Sequence, residues 1–196
     1  MEINPSEDPI ELFQQWLKAA SATEPADPEA MALATVDKEG HPSVRMVLLK
    51  GVDGQGFCFY TNMESKKARE LAGNPQAAVC FYWKSQKRQV RVEGRAEEVA
   101  APLADAYFKT RQVLSRLGAW ASRQSQPIAS RAALEAQVAI YEKKFSGHDI
   151  PRPPQWSGYR IIPEKIEFWQ EGKGRLHDRF LFTRAGPGWS LARLSP

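Results

Sequence analysis

The sequence predicts an α+β protein, mainly β: a β-barrel with short peripheral helices. Three observations carry this. Short runs of aromatic and β-branched residues recur along the chain, separated by turns rich in Gly, Pro, Asn and Asp. Helical spacing interrupts them only in brief stretches. The length of 196 residues, with 42% hydrophobic and 26% charged residues, fits one packed domain and excludes a disordered tract.

Asp8-Pro9-Ile10-Glu11 has the form of a helix start: an acidic cap, proline in first position and a carboxylate three residues on. Phe13, Trp16, Leu17 and Ala20 follow at helical spacing and predict a helix over 9–20. Thr23 to Pro28 is an acidic, proline-bearing connector, which separates an acidic leader (1–28) from a barrel domain (29–196). Met31–Val36 and Ser43–Leu49, joined by Asp37-Lys38-Glu39-Gly40, read as a hairpin. Phe57–Thr61, Ala77–Trp83 and Gln89–Val99 are further strands. A short helix over 65–73 is stopped by Gly73-Asn74-Pro75. Helical patterns resume at 102–110 and 128–145, where Leu134, Val138, Tyr141 and Phe145 fall on one face. After a Pro151-Arg-Pro-Pro154 loop, strands are expected at Tyr159–Ile162, Lys165–Gln170, Phe180–Arg184 and Trp189–Leu194, the last pair joined by Gly186-Pro187-Gly188.

No apolar run approaches the ~18 residues needed to cross a bilayer, and no charged-then-apolar leader stands at the N-terminus. Neither a membrane span nor secretion is expected. Cys58 and Cys80 lie in apolar, strand-like segments without partners at metal spacing, which fits buried thiols in a reducing cytoplasm. The net charge of +4 is unevenly spread. Residues 1–30 hold seven acids and one base, a balance of −6, so the remainder carries +10. A basic body suits an anionic partner, whether nucleic acid, phospholipid or a small phosphorylated molecule.

Four segments concentrate chemistry. Tyr60-Thr61-Asn62-Met63-Glu64-Ser65-Lys66-Lys67 runs from a strand into a helix whose first turn holds two lysines. They oppose the helix dipole unless an anion sits there; the alternative is a solvated lysine pair. Arg45 and Lys50 bracket the apolar run Met46-Val47-Leu48-Leu49. Five residues apart, they face opposite sides of a strand and would serve two anions, or else simply mark the strand's ends. In Arg175-Leu-His177-Asp-Arg179, strand alternation puts Arg175, His177 and Arg179 on one face, a surface for an anionic, hydrogen-bonding ligand or an exposed polar face. Tyr107, Arg111 and Ser115 close a helical stretch with a phenol, a guanidinium and a hydroxyl suited to phosphate. No nucleophile–base pair, metal-ligand cluster or glycine-rich nucleotide loop stands out, so an enzyme built this way would rely on a bound cofactor.

Taken together, these segments resemble the pyridoxine/pyridoxamine 5′-phosphate oxidases. The resemblance runs from Asp8 to Pro196. It rests on Arg45–Lys50 (RMVLLK), Tyr60-Thr61-Asn62, Ser65-Lys66-Lys67, Arg88-Gln89-Val90, Gly118-Ala119-Trp120 and Gln124-Ser125. Further along it rests on Ile166–Gln170 (IEFWQ), Arg175–Arg179 (RLHDR) and the terminal Arg193-Leu-Ser-Pro196. It implies an FMN-binding split β-barrel that works as a homodimer with flavin at the interface, and a pyridoxal 5′-phosphate synthase activity. In that reading FMN is held by Arg45, Met46, Val47, Leu48, Leu49, Lys50, Tyr60, Thr61, Lys66, Lys67, Gln89, Gln124, Ser125, Trp169 and Arg179. Lys50, Tyr107, Arg111 and Ser115 grip the substrate phosphate, and Arg175 and His177 press the pyridine ring against the flavin. The implied reaction moves a hydride from substrate C4′ to the flavin, which O₂ reoxidises with release of H₂O₂.

The chain departs from the family pattern in three places. Arg111-Gln-Val-Leu-Ser115-Arg-Leu-Gly118 stands where Arg-Pro-x-x-Ser-x-Ile-Gly is usual, Lys66 replaces an arginine, and no Arg-x-x-Tyr segment precedes the first helix. Cover over the site is therefore expected to be weaker or to come from elsewhere. Two alternatives stay open: a related split-barrel flavoprotein with another substrate, or a protein that binds FMN or pyridoxal phosphate without turnover. Arg111, Ser115, Arg175 and His177 argue against both. Nucleic-acid binding is disfavoured because the bases sit in short blocks among apolar strands.

Overall fold

The computed structural model describes residues 8–196, so the first seven residues of the expected acidic leader lie outside the described residues. Asp8 caps α1 (Pro9–Ser21) by accepting from the backbone N–H of Ile10 and Glu11. The apolar face of α1 does not lie on the surface. Phe13 packs 4.9 Å from both Phe57 and Phe81, and Trp16 meets Phe168 edge-on at 5.1 Å. The helix thus plugs the interior of the sheet, where Met31, Leu33, Phe59, Val92, Ile166 and Phe182 are also buried.

Nine strands form that sheet: β1 (Ala30–Val36), β2 (Pro42–Leu48), β3 (Gly51–Asp53), β4 (Gly56–Asn62), β5 (Gln76–Trp83), β6 (Arg88–Glu98), β7 (Trp156–Gln170), β8 (Asp178–Ala185) and β9 (Gly188–Arg193). All pairings are antiparallel, in the order β2-β1-β5-β6-β7-β4-β3, with β8 and β9 continuing from β7. The helices are α2 (Lys66–Gly73), α3 (Ala101–Thr110), α4 (Val113–Ala121) and α5 (Arg131–Lys144).

β7 organises the barrel. One edge pairs with β6 over residues 159–170, while the other is divided: residues 156–161 pair with β4 and 165–170 with β8. The sheet splits at that division. Sequence patterning read two strands here because Pro163 cannot donate to a ladder. The chain instead keeps one strand with a bulge, where Glu93 pairs with Lys165 and Gly94 with Pro163. Gly94 is required there, since a Cβ would sit 2.1 Å from the Ile162 carbonyl oxygen.

Two elements escaped the sequence reading. β3 is only three residues long, and α4 carries glycine and no side-chain cap. α3, α4 and α5 pack outside the barrel through a second cluster of Phe108, Leu117, Ile150 and Trp156, joined by Tyr60, Tyr107, Trp120, Tyr141 and Phe145. Both cysteines are free; Cys58 is buried as expected, but Cys80 is only half-buried. Among the described residues no helix is long and apolar enough to cross a membrane.

Candidate functional site

A cleft of about 880 Å³ opens between edge strand β2 and the helical layer. Its walls are the β2 residues 43–48 with Lys50, the end of β4 (Tyr60, Thr61, Asn62), the start of α2 (Lys66, Lys67), Tyr107, Arg111, Ser115, the 118–125 segment and Trp156. The volume lies within the usual range for small-molecule sites. Among the described residues no cluster of three or more His, Cys, Asp or Glu could hold a metal.

Arg45 stands at the edge of the core-facing cross-strand row that continues through Leu33, Val79, Val92, Ile166 and Phe182. Having no apolar partner beyond β2, it turns to α2, where its Nη2 meets Glu70 Oε2 at 3.1 Å. Its other donors reach Leu33 O, Thr35 and Ser43. Glu70 is buried and also accepts from Thr35 at 2.6 Å and Ser43 at 2.7 Å, while Lys66 Nζ lies 3.7 Å away. Burial alone would raise the Glu70 pKa. The hydrogen bonds from Thr35 and Ser43 and the charge of Arg45 outweigh it and hold the carboxyl below its ordinary value.

Ser65 caps α2 by accepting from Ala68 N–H, which places Lys66 and Lys67 in the first turn as expected. Lys67 is buried and directs Nζ at Thr61 Oγ1 (3.1 Å), Ser65 Oγ (3.2 Å) and Gln124 Oε1 (3.1 Å). Burial, then the nearby charge of Arg45, lowers its pKa to about 8 against the opposing pull of Glu70. Gln124 also accepts from Thr61 at 3.1 Å, and Ser125 follows with φ +68°. The result, among the described residues, is a polar corner carrying Arg45, Lys66 and Lys67 against the carboxylate of Glu70.

Strand alternation holds for Arg45 and Lys50: Arg45 is core-facing, Leu49 is buried and Lys50 is exposed, its Nζ 3.5 Å from Glu29. Both nevertheless line the cleft, because it wraps the edge strand. Further along the cleft, the Arg111 guanidinium lies over the Trp156 ring at 4.9 Å and the Phe108 ring at 5.6 Å. Its Nη1 is buried without a hydrogen-bond partner. Burial lowers the Arg111 pKa from its ordinary value. Tyr107 stacks on Tyr60 at 4.1 Å, and Ser115 is exposed at the cleft wall.

Six of the sequence-predicted residues do not line this cleft. Leu49 is buried in the core. Gln89, Trp169 and Arg179 are register partners in one cross-strand row over β6, β7 and β8. His177 packs on Trp169 at 4.7 Å. The expected strand alternation of Arg175, His177 and Arg179 fails, because Lys173–Arg175 is a 3₁₀ turn with Arg175 at φ +65° and the strand begins only at Asp178. The Gln89–Trp169–Arg179 row shares its sheet face with Met46, Ala32, Cys80 and Tyr82. That face is apolar at β2, where Val44 and Met46 are 68% and 64% exposed.

Glu70 and Trp156 were missed as site residues. Glu70 had a signal in its i, i+4 spacing from Lys66. Trp156 had none beyond being an aromatic after a proline-rich loop.

Fold and site together define a split β-barrel protein with a cationic cleft along its edge strand. Residues 17–145 match the family described as pyridoxamine 5′-phosphate oxidase. Residues 156–196 match the pyridoxine 5′-phosphate oxidase C-terminal dimerisation region. The chain belongs to the pyridoxamine 5′-phosphate oxidase family. It is 56% identical to the pyridoxine/pyridoxamine 5′-phosphate oxidase of Rhizobium etli over 193 residues, 97% of this chain and 94% of the relative. Identity to the protein of that name from Gluconobacter oxydans is 53% over 189 residues, 96% of this chain and 94% of the relative. Among solved structures, PhzG from Burkholderia lata 383 in complex with tetrahydrophenazine-1-carboxylic acid superposes with TM-score 0.93 at 33% identity, covering 98% of this chain and 95% of that one. A pyridoxamine 5′-phosphate oxidase-related, FMN-binding protein from Nostoc punctiforme shares the fold at TM-score 0.77 and 20% identity, with full coverage of both chains.

Proposed function

We propose that this chain is an FMN-dependent oxidase that converts pyridoxamine 5′-phosphate and pyridoxine 5′-phosphate to pyridoxal 5′-phosphate. One observation carries the reading: a single cleft is lined by two sets of cationic and polar side chains, Arg45, Lys66 and Lys67 in one and Arg111 with Ser115 in the other. Two phosphorylated molecules side by side need that arrangement. The three cations and one carboxylate of the first group leave a net charge of +2, which complements a phosphate dianion. The second group offers the unpartnered Nη1 of Arg111. The donor set therefore fits FMN and a phosphorylated substrate.

FMN held in the cleft would supply a two-electron acceptor for the substrate's C4′ hydride, with O₂ as the final oxidant and H₂O₂ as its product. The chain's residues bind and align. Thr61, Lys66, Lys67, Gln124, Ser125 and Arg45 hold the cofactor with the backbone of 46–50, while Lys50, Tyr107, Arg111 and Ser115 hold the substrate phosphate. The amine substrate becomes an imine that water hydrolyses, and the alcohol gives the aldehyde directly. No residue needs to act as nucleophile, and alignment with electrostatics is what the protein contributes.

The working unit is a homodimer. Gln89, Trp169, Arg179 and His177 share a patch apart from the cleft, on the same sheet face as exposed Val44 and Met46, with Arg175 in the adjoining turn. Pairing two copies through this face lets each chain complete the other's cleft. Two free cysteines fit a reducing cytoplasm.

The test is direct. Purified protein should show the flavin absorption band, and each phosphorylated vitamer should bleach it without oxygen. A colourless protein, or a yellow one that neither vitamer reduces, refutes the proposal.

A further inference from the structure

Arg45 and Arg111 are stabilised in opposite ways. Arg45 has a carboxylate at 3.1 Å. Arg111 forms no ion pair among the described residues, and its Nη1 has no hydrogen-bond partner at all. Removing a guanidinium from water without compensation is costly. The compensation here is two aromatic faces, Trp156 at 4.9 Å and Phe108 at 5.6 Å. The choice has a chemical consequence. A carboxylate would occupy the N–H donors that an incoming phosphate needs, whereas a π face stabilises the cation and leaves those donors free.

Trp156 is itself held rigidly. Its ring lies parallel to Tyr60 at 5.4 Å and meets Phe108 at 5.0 Å. Its backbone N–H donates to Pro153 O at 3.0 Å, and its carbonyl accepts from Arg152 Nη1 at 2.6 Å. Arg152 Nε in turn donates to Asp105 of α3 at 2.6 Å. Arg111 is the C-cap of that same helix. Platform and guanidinium are thereby tied to one element.

We propose that Trp156 is a positioning residue for the phosphate end of the substrate: its indole face holds Arg111 at the cleft wall with its donors unfilled. The proposal rests on the reading of Arg111 as the substrate-phosphate ligand.

The test uses the flavin-loaded enzyme and compares Trp156→Leu, which keeps an apolar side chain without a π face, with Trp156→Phe, which keeps a smaller one. Steady-state kcat and KM for pyridoxamine 5′-phosphate are measured with the inhibition constant of inorganic phosphate, flavin content and melting temperature. Trp156→Leu should raise both KM and the phosphate inhibition constant about tenfold. It should leave kcat within about twofold and flavin content unchanged, and Trp156→Phe should recover most of the loss. Unchanged KM in Trp156→Leu, while Arg111→Ala raises it, overturns the role of Trp156 and leaves the Arg111 reading intact. Unchanged KM in Arg111→Ala removes both. If the leucine variant does not fold, the phenylalanine variant decides: a rise in KM smaller than that of Arg111→Ala, at constant kcat, supports the proposal, and an unchanged KM overturns it. A fall in kcat, flavin content and melting temperature together marks a structural residue and overturns it.

Discussion

Glu70 Oε2 stands 3.1 Å from Arg45 Nη2, joining α2 to the edge strand at the point where three cations converge. Among the described residues the carboxylate is the one anion paired with these cations, so without bound phosphate it offsets their mutual repulsion. Glu70→Gln keeps the shape and removes the charge. The flavin-free variant should lose about 1–3 kcal/mol, read as a melting temperature lower by about 2–12 °C. Inorganic phosphate or FMN should recover more than half of that loss, because a bound dianion replaces the missing charge. Equal losses with and without FMN would show that Glu70 supports only the fold.

The lowered pKa of Lys67 gives cofactor binding a pH dependence with a defined sign. Phosphate favours the protonated lysine, and the flavin-free protein begins to lose that proton near pH 8. FMN affinity should therefore be flat between about pH 7 and 7.5, above the second phosphate ionisation. Above pH 8 it should weaken, by up to about tenfold per pH unit, as binding must recover the proton. Stability of the flavin-free protein runs the other way. Folding depresses this lysine's pKa, so the cost of keeping it charged is relieved as pH rises from 8 towards its unfolded value of about 10.4. Titrating FMN fluorescence against pH for wild type and Lys67→Met checks this; the variant should lose the dependence above pH 8.

Much of the site was legible because it follows local rules. Two lysines after a strand end marked a first helical turn, and in–out alternation from β2 onward placed Arg45 and Lys50 on opposite faces. What was illegible depends on non-local register. Gln89, Trp169 and Arg179 are 80 and 10 residues apart in sequence and become neighbours only through the β6–β7–β8 pairing. Arg175 reads as strand because its neighbours alternate, yet Gly172 and Gly174 allow a turn that side-chain pattern does not encode. Glu70 carries no sequence signal beyond its spacing from Lys66, because its burial is set by the barrel edge and not by the short helix that bears it.

If each cleft is completed by the other chain, two different broken proteins should repair one another. Lys67→Met damages the cleft and leaves the Arg179 patch intact; Arg179→Ala does the reverse. Each homodimer should bind FMN poorly. Unfolding and refolding them as an equal mixture yields half heterodimers, each with one intact and one doubly damaged site. About a quarter of all sites should then regain wild-type FMN affinity. A site confined to one chain would show no recovery in the mixture, as measured by flavin retained after gel filtration.

Arg175 occupies a left-handed conformation, φ +65°, in a turn closed by bonds from Leu176 N–H to Lys173 O and from His177 N–H to Arg175 O. Gly172 makes the turn possible, since a Cβ there would lie 1.9 Å from Leu176 O. Its N–H donates to His177 Nδ1 at 3.2 Å, which fixes the imidazole beside Trp169. An arginine in this region costs about 1 kcal/mol relative to glycine. Retaining it argues for a function that the backbone alone cannot provide. Arg175→Gly should therefore keep or raise the melting temperature, by up to about 3 °C, while Arg175→Ala keeps the strain and gains nothing. Both should lower turnover about tenfold to hundredfold with flavin content near wild type. A glycine variant that turns over normally would show that the side chain has no part in the reaction.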